Sequence, residues 1–228
     1  MEDGRPYRFA NELICGRIAQ FLLLPVPPFG FTYFPGQKDV PLEKGIRFSE
    51  VDFNCERRES YPLPDFDACI DHMPMVCTGI LAFDILIANP DRRRDHLWCD
   101  NQQHPTRLLM FDHDFALFGP NAGITRLDAL QDALGLGDTK QDNSHPFLTR
   151  LRSADLLDEW CARIYSLHAA KWFIKEVCRE AEKYGLSRSE ANAAAKFIEY
   201  RSSNLDTIIK SHRPLFERVS DWSKGLFT

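Results

Sequence analysis

Several chemistries are excluded by what these 228 residues do not contain. None of the seven cysteines forms a CxxC pair, so the spacings of zinc ribbons and of thioredoxin-like redox sites are missing. No G-x-S-x-G elbow, dinucleotide-binding glycine fingerprint or P-loop is present, which removes the common hydrolase and nucleotide-binding motifs. There is no internal repeat, coiled coil or low-complexity tract. Apolar runs are interrupted by Arg17, Pro25, Pro74 and Asp84, and the start Met-Glu-Asp-Gly-Arg lacks the basic-then-apolar order of a signal peptide, so no membrane association is expected. A formal charge of −5 gives no general basic field, and nucleic acid is not an expected partner. Arg57-Arg58 and Arg92-Arg93-Arg94 are local exceptions.

What is present fits a soluble globular chain long enough to bury a sizeable core. Cys15, Cys55, Cys69, Cys77, Cys99, Cys161 and Cys178 are scattered and several lie in apolar segments, the usage of reduced, buried thiols in a cytoplasmic protein. Residues 9–24 carry Leu13, Ile14, Ile18, Phe21 and Leu22 at helical spacing, and Pro25-Val26-Pro27-Pro28 ends that helix. The aromatic, β-prone FGFTYF predicts a strand at about 29–34. From 36 to 68 the chain is rich in proline, glycine and charge, with GIRFSEVDF its only strand-like piece, and reads as a connection between two lobes. Residues 67–88 predict a buried helix, distorted or started at Pro74, with Asp84 inside it needing partners from the adjoining loop. Helices are further predicted at 125–134, 154–166, 168–184 and 188–211, the last with a Ser187/Glu190 capping box. Trp160, Trp172 and Trp222 are expected in packing.

The densest chemistry lies between 84 and 118. An apolar run stops at Asn89-Pro90-Asp91. His96-Leu97-Trp98-Cys99, a polar turn and Arg107 to Phe111 predict an antiparallel hairpin, which ends at Asp112. A hairpin returns the chain to its starting end, so Asp91 and Asp112 become neighbours. Paired acids repel unless a proton or cation sits between them, which suits metal binding or acid/base chemistry; acids also simply favour turns and caps. His96, five residues after Asp91, is placed as a third polar group, and Arg92 to Arg94 could neutralise phosphate. A zinc site drawn from His96, Cys99, His104 and His113 is a rival with no familiar spacing beyond His96-x-x-Cys99. His72, His145, His168 and His212 look isolated.

The segments FDILIANPDRRRDHL and LLMFDHDFAL resemble the catalytic loop and metal-binding segment of HipA-like kinases, close to N-x-D-R-x-x-x-N-L, a short hairpin, then I-D-H. Lipid kinases of the phosphatidylinositol 3- and 4-kinase group share the D-R-x-x-x-N and the later acid. Upstream, FANELICGRIAQFLLLPVPPFGFTYF resembles the family's N-E-L helix, proline turn and strand, so the resemblance covers residues 8–34 and 80–118. It implies an α+β, protein-kinase-like (HipA-like) fold, with a reduced N-lobe over 1–66 and a mostly helical C-lobe over 67–228. It implies ATP and Mg²⁺ as cofactors, Asp91 as the catalytic or acceptor-orienting acid, Arg92 and Asn89 as supports of its loop, and Asp112 as the metal ligand. Glu12 corresponds to the helix glutamate that pairs with the nucleotide-binding lysine. The implied partners are nucleotide and a protein serine or threonine substrate; some members are toxins paired with an antitoxin.

Two departures stand out. His96 occupies the position of the family's metal-binding asparagine, and imidazole suits Mn²⁺ or softer ions better than Mg²⁺. Only MEDGRPYR precedes the N-E-L helix, where the family has its glycine-rich hairpin and lysine strand. Lys38, Lys44, an arginine or a partner chain completing the N-lobe would have to substitute, or the chain is a shortened form of a longer kinase. A catalytically inactive, partner-binding kinase fold (a pseudokinase) and a lipid-kinase-like phosphotransferase remain as alternatives.

Overall fold

The computed structural model describes residues 6–33, 46–50, 64–137 and 145–222, of which 31–33 and 46–50 are described by their backbone. Helices dominate an α+β arrangement: α1 (Arg8–Phe21), β1 (Phe29–Tyr33), β2 (Ile46–Glu50), α2 (Phe66–His72), α3 (Pro74–Leu86), β3 (Leu97–Cys99), β4 (Leu108–Met110), α4 (Ile124–Ala129), α5 (Ala154–Ala169), α6 (Lys171–Glu180) and α7 (Arg188–Ser211). Two antiparallel pairs supply the strands. β1 pairs with β2 in the register Phe29 to Glu50, and β3 pairs with β4 in the register Leu97 to Met110. Part of the expected connection at 36–68 is therefore a strand; Lys38, Lys44, Cys55 and the Arg57-Arg58 patch lie outside the described residues.

The helix expected over 67–88, distorted or started at Pro74, is two helices, the second starting at Pro74. Asp65 caps α2 by accepting from the N–H groups of Asp67 and Ala68 at 3.0 and 3.1 Å. Met73 leaves helical geometry at φ −135°, ψ 50°, and Pro74 opens α3, where its missing N–H costs nothing. The two axes differ by 115°. No single described helix is long and apolar enough to cross a membrane. The boundary expected at 167 between two helices falls at Ala170, which separates α5 from α6, and Ala181–Tyr184 continue α6 as a 3₁₀ turn. α4 is shorter than its apolar pattern suggests, ending at Ala129.

α7 packs along α5 and α6, and α3 lies against α5. Gly79 makes the α3 to α5 approach workable, because a Cβ there would stand 2.2 Å from the Trp160 indole. That indole is itself fixed by donating to the Met75 carbonyl at 2.7 Å. α1 contributes Ile14, Cys15 and Ile18 to the same core as these helices, so the core crosses the expected boundary at 66. Tyr7, just before α1, donates to Glu190 at 2.7 Å, and Glu190 completes the Ser187 capping box of α7. The six described cysteines are free and buried, as expected. Trp172 departs from expectation: it is 67% exposed.

Candidate functional site

Asp84 is the foundation of the site. Fully buried on α3, it accepts from Arg92 Nε at 2.8 Å and Arg92 Nη2 at 3.0 Å, from Asn89 Nδ2 at 3.0 Å, and from His145 Nε2 at 3.0 Å. Burial opposes its ionisation, but the Arg92 charge and the hydrogen bonds from His145 and Arg92 hold the carboxyl well below the usual range. His145 Nδ1 accepts from the Phe147 N–H at 3.2 Å, which leaves Nε2 as the protonated nitrogen facing Asp84. Burial pushes that imidazole down, against the pull of Asp84, so His145 sits there neutral.

From this base the loop is built outward. α3 gives way at Ala88, whose φ of 49° is left-handed, and Pro90 prevents the helix resuming. Asn89 then works in two directions. Its Nδ2 reaches back to Asp84, and its Oδ1 accepts from the Asp91 N–H at 3.1 Å, an Asx turn that sets the direction of Asp91. Arg92, buried and bonded to Asp84, sends Nη1 to the carbonyls of Phe111 and His96, so one guanidinium ties α3 to both ends of the β3–β4 hairpin. Burial opposes its charge, yet Asp84, with Asp112 and Glu12, holds it more firmly protonated than an ordinary arginine.

The segment leaving the hairpin, at the same open end, is clamped from α1 and α4. Asp112 adopts φ 61°, a conformation aspartate tolerates better than bulky residues do. Glu12, only 4% exposed, accepts from the His113 N–H at 2.9 Å and lies 3.2 Å from its Nδ1. Asn11 donates to the Asp114 carbonyl at 2.7 Å. Arg126 donates to the carbonyls of Ala88 and Leu117, two residues that both carry positive φ, and so joins the two acid-bearing segments. Burial pushes the Arg126 guanidinium down to about 10, still protonated at neutral pH.

Asp91 and Asp112 are thereby brought into one chain of contacts. Asp91 Oδ1 is 3.2 Å from Arg93 Nε, Arg93 Nη2 is 2.7 Å from His96 Nε2, and His96 Nε2 is 3.5 Å from Asp112 Oδ2. Both acid side chains remain partly open, at 29% and 38% exposed, whereas His96 is buried. Burial opposes ionisation of Asp112, but its hydrogen bonding with Asp114, whose N–H it accepts at 3.4 Å, and the nearby His96 and His113 bring its carboxyl below the usual range.

Each expected site residue can now be placed. Asp91, Arg92, His96 and Asp112 belong to one network, with Arg92 beneath it as a strut. Glu12 is buried, and among the described residues its partner is His113 rather than a lysine. The zinc quartet does not assemble: Cys99 is buried in β3, His104 pairs on the surface with His72 at 3.4 Å, and His113 turns to Glu12. No group of three metal-ligating side chains converges among the described residues. Arg93 engages the His96 nitrogen that faces Asp112, while the Asp91 and Asp112 carboxylates stay partly open. The sequence named Arg93 only within a phosphate-neutralising run, His113 only in the zinc quartet and His145 as isolated, and it did not single out Arg126; the roles of His145 and Arg126 depend on contacts with Asp84 and Ala88 that carry no local signal. No family model, curated protein or solved structure matches this chain.

Proposed function

We propose that the chain is a kinase-fold protein of the HipA-like type whose Asp91–Asp112 network serves phosphotransfer from ATP to a protein serine or threonine hydroxyl. The observation that carries this reading is the linkage of two partly exposed acids through Arg93 and His96, on loops fixed by the buried Asp84–Arg92 pair. Phosphoryl transfer asks the protein mainly for positioning and electrostatics. Asp91, oriented by Asn89, receives the acceptor hydroxyl proton as that oxygen bonds to phosphorus and the bond to the nucleotide's leaving oxygen breaks. Asp112, on the opposite side of Arg93, faces the phosphate side of the exchange. Bound magnesium would neutralise phosphate charge, and the arginine run offers a further cation for the same purpose.

A second reading has its own support. Arg93 stands between the acids and the metal donors do not converge, as expected of a kinase fold that binds nucleotide or a partner without catalysis. Calorimetric titration with ATP, in Mg²⁺ and then in Mn²⁺, is expected to show metal-dependent binding that Asp112→Asn abolishes. Absence of binding under both metals would sink the enzyme reading. Autophosphorylation or phosphate release that persists in Asp91→Asn would remove Asp91 from the chemistry, while binding without turnover in the wild type would favour the second reading.

A further inference from the structure

We infer that the end of the molecule where α1 meets α6 is a lipid-docking surface, a protruding apolar tip that seats in the headgroup and acyl boundary of an anionic bilayer. The inference is independent of the acid network and of phosphotransfer. Among the described residues the exposed large hydrophobic side chains are Phe21, Leu23, Tyr165 and Trp172, at 39, 87, 55 and 67%. Three of these four adjoin. Phe21 stacks on Phe173 with ring centroids 4.8 Å apart, Trp172 meets the same Phe173 edge-on at 6.0 Å, and Leu23 lies just past the end of α1.

Leu23 carries the argument furthest. The chain leaves α1 through a Schellman turn, in which the Leu24 N–H donates to the Ala19 carbonyl at 2.9 Å and the Leu23 N–H donates to the Gln20 carbonyl at 3.0 Å. Leu23 therefore follows the helix cap with φ 57°, in the left-handed region where glycine is favoured and a bulky side chain is strained. Leu24, only 5% exposed, already supplies the apolar contact that accompanies such a turn. Neither the backbone nor the core uses the Leu23 side chain, so its use lies outside the chain.

Shape and charge select a bilayer as the occupant. A side chain 87% exposed projects rather than lines a groove, which suits insertion into a fluid layer better than the fitted contact of a folded partner. Tryptophan, phenylalanine and leucine bordered by basic residues make up the composition of a contact that lies on a membrane. Arg17, exposed one turn before Phe21, and Lys171 and Lys175 beside Trp172 form that border; Glu176 is an exposed acid on the same helix. In a chain of net charge −5 this end is locally basic, complementary to anionic headgroups. A contact of this kind needs no spanning helix, and it departs from the sequence expectation of no membrane association, which rested on interrupted apolar runs and the lack of a signal peptide.

Flotation of the full chain with vesicles of phosphatidylcholine, alone or mixed with phosphatidylserine, tests the inference. Wild type is expected to float with the mixed vesicles, less with phosphatidylcholine alone, and to be released by salt. Leu23→Gly keeps the left-handed turn and removes the tip, so it is expected to weaken vesicle binding about tenfold, the share of a partly buried leucine side chain, while its urea midpoint stays equal to or above that of wild type. Tryptophan emission is expected to shift to the blue when wild type binds and not when Trp172→Phe binds. No flotation with either vesicle, equal flotation with both, Leu23→Gly binding as tightly as wild type, or a blue shift that survives Trp172→Phe would overturn the inference. So would a concentration-dependent dimer in sedimentation velocity that Leu23→Gly dissolves, because the tip would then belong to a second copy of the chain.

Discussion

Replacing Asp84 by asparagine tests the foundation of the site at nearly constant volume. Oδ1 accepts from Asn89 and Arg92 Nη2, while Oδ2 accepts from Arg92 Nε and His145 Nε2. Whichever way the amide is turned, its NH₂ faces two donors, so two hydrogen bonds to a charged group are lost and Arg92 is left buried without a counter-charge. At about 1.5–3 kcal/mol for each such bond, the loss is about 3–6 kcal/mol, in line with the 3–5 kcal/mol typical of breaking a buried ion pair. That is a large share of the roughly 5–15 kcal/mol that stabilises most domains. Urea unfolding followed by circular dichroism is expected to shift to a much lower midpoint at unchanged slope. Combining Asp84→Leu with Arg92→Met is expected to cost less than the sum of the two single changes, since each single change strands one buried charge and the pair strands none. A loss below about 1 kcal/mol for Asp84→Asn, or strict additivity in the cycle, would refute the reasoning.

Two further outcomes follow from the core around the site. The folded pKa of His145 is depressed by burial, so below its unfolded value of about 6.5 the unfolded chain takes up a proton the folded chain refuses, and its stabilising contribution, complete above that value, falls as pH drops; His145→Gln should flatten the difference between urea midpoints at about pH 7.5 and pH 5.5 by up to roughly 1.4 kcal/mol per pH unit, and an unchanged slope would count against a neutral buried His145. Gly79→Ala would gain up to about 1 kcal/mol in an open helix but here drives a methyl to 2.2 Å from Trp160, so thermal melting is expected to show a loss of about 1–3 kcal/mol, and a stabilised variant would contradict the close approach.

Local chemistry made much of this legible. The α7 boundaries and its capping box followed from Ser187, Glu190 and the apolar spacing, and the β3–β4 hairpin followed from a polar turn between β-prone runs. The need of Asp84 for partners from the adjoining loop was also readable, since a carboxylate in an apolar run cannot be buried bare. Breaks were harder. Pro74 marked the first break, since a residue before proline is disfavoured in a helix, but the position of the second, at Ala170, carries no strong helix-stopping signal. The clamps were hidden for the same reason: His145 is 61 residues from Asp84, Glu12 is 101 from His113, and Arg126 is 38 from Ala88, separations at which pattern carries no information. Trp172 shows that an aromatic on an amphipathic helix need not face inward.

Arg201, buried at the middle of α7, donates to the carbonyls of Ile85 and Leu86 at the end of α3 and of Leu130, Gln131, Ala133 and Leu134 beyond α4, with burial pushing it down to about 10. Its partners on α3 lie 115 and 116 residues earlier in the chain and immediately precede the acid-bearing loop. On a ribosome, those carbonyls are made long before the side chain that satisfies them. A chain stopped short of α7 would carry the end of α3 without the donor that satisfies its carbonyls.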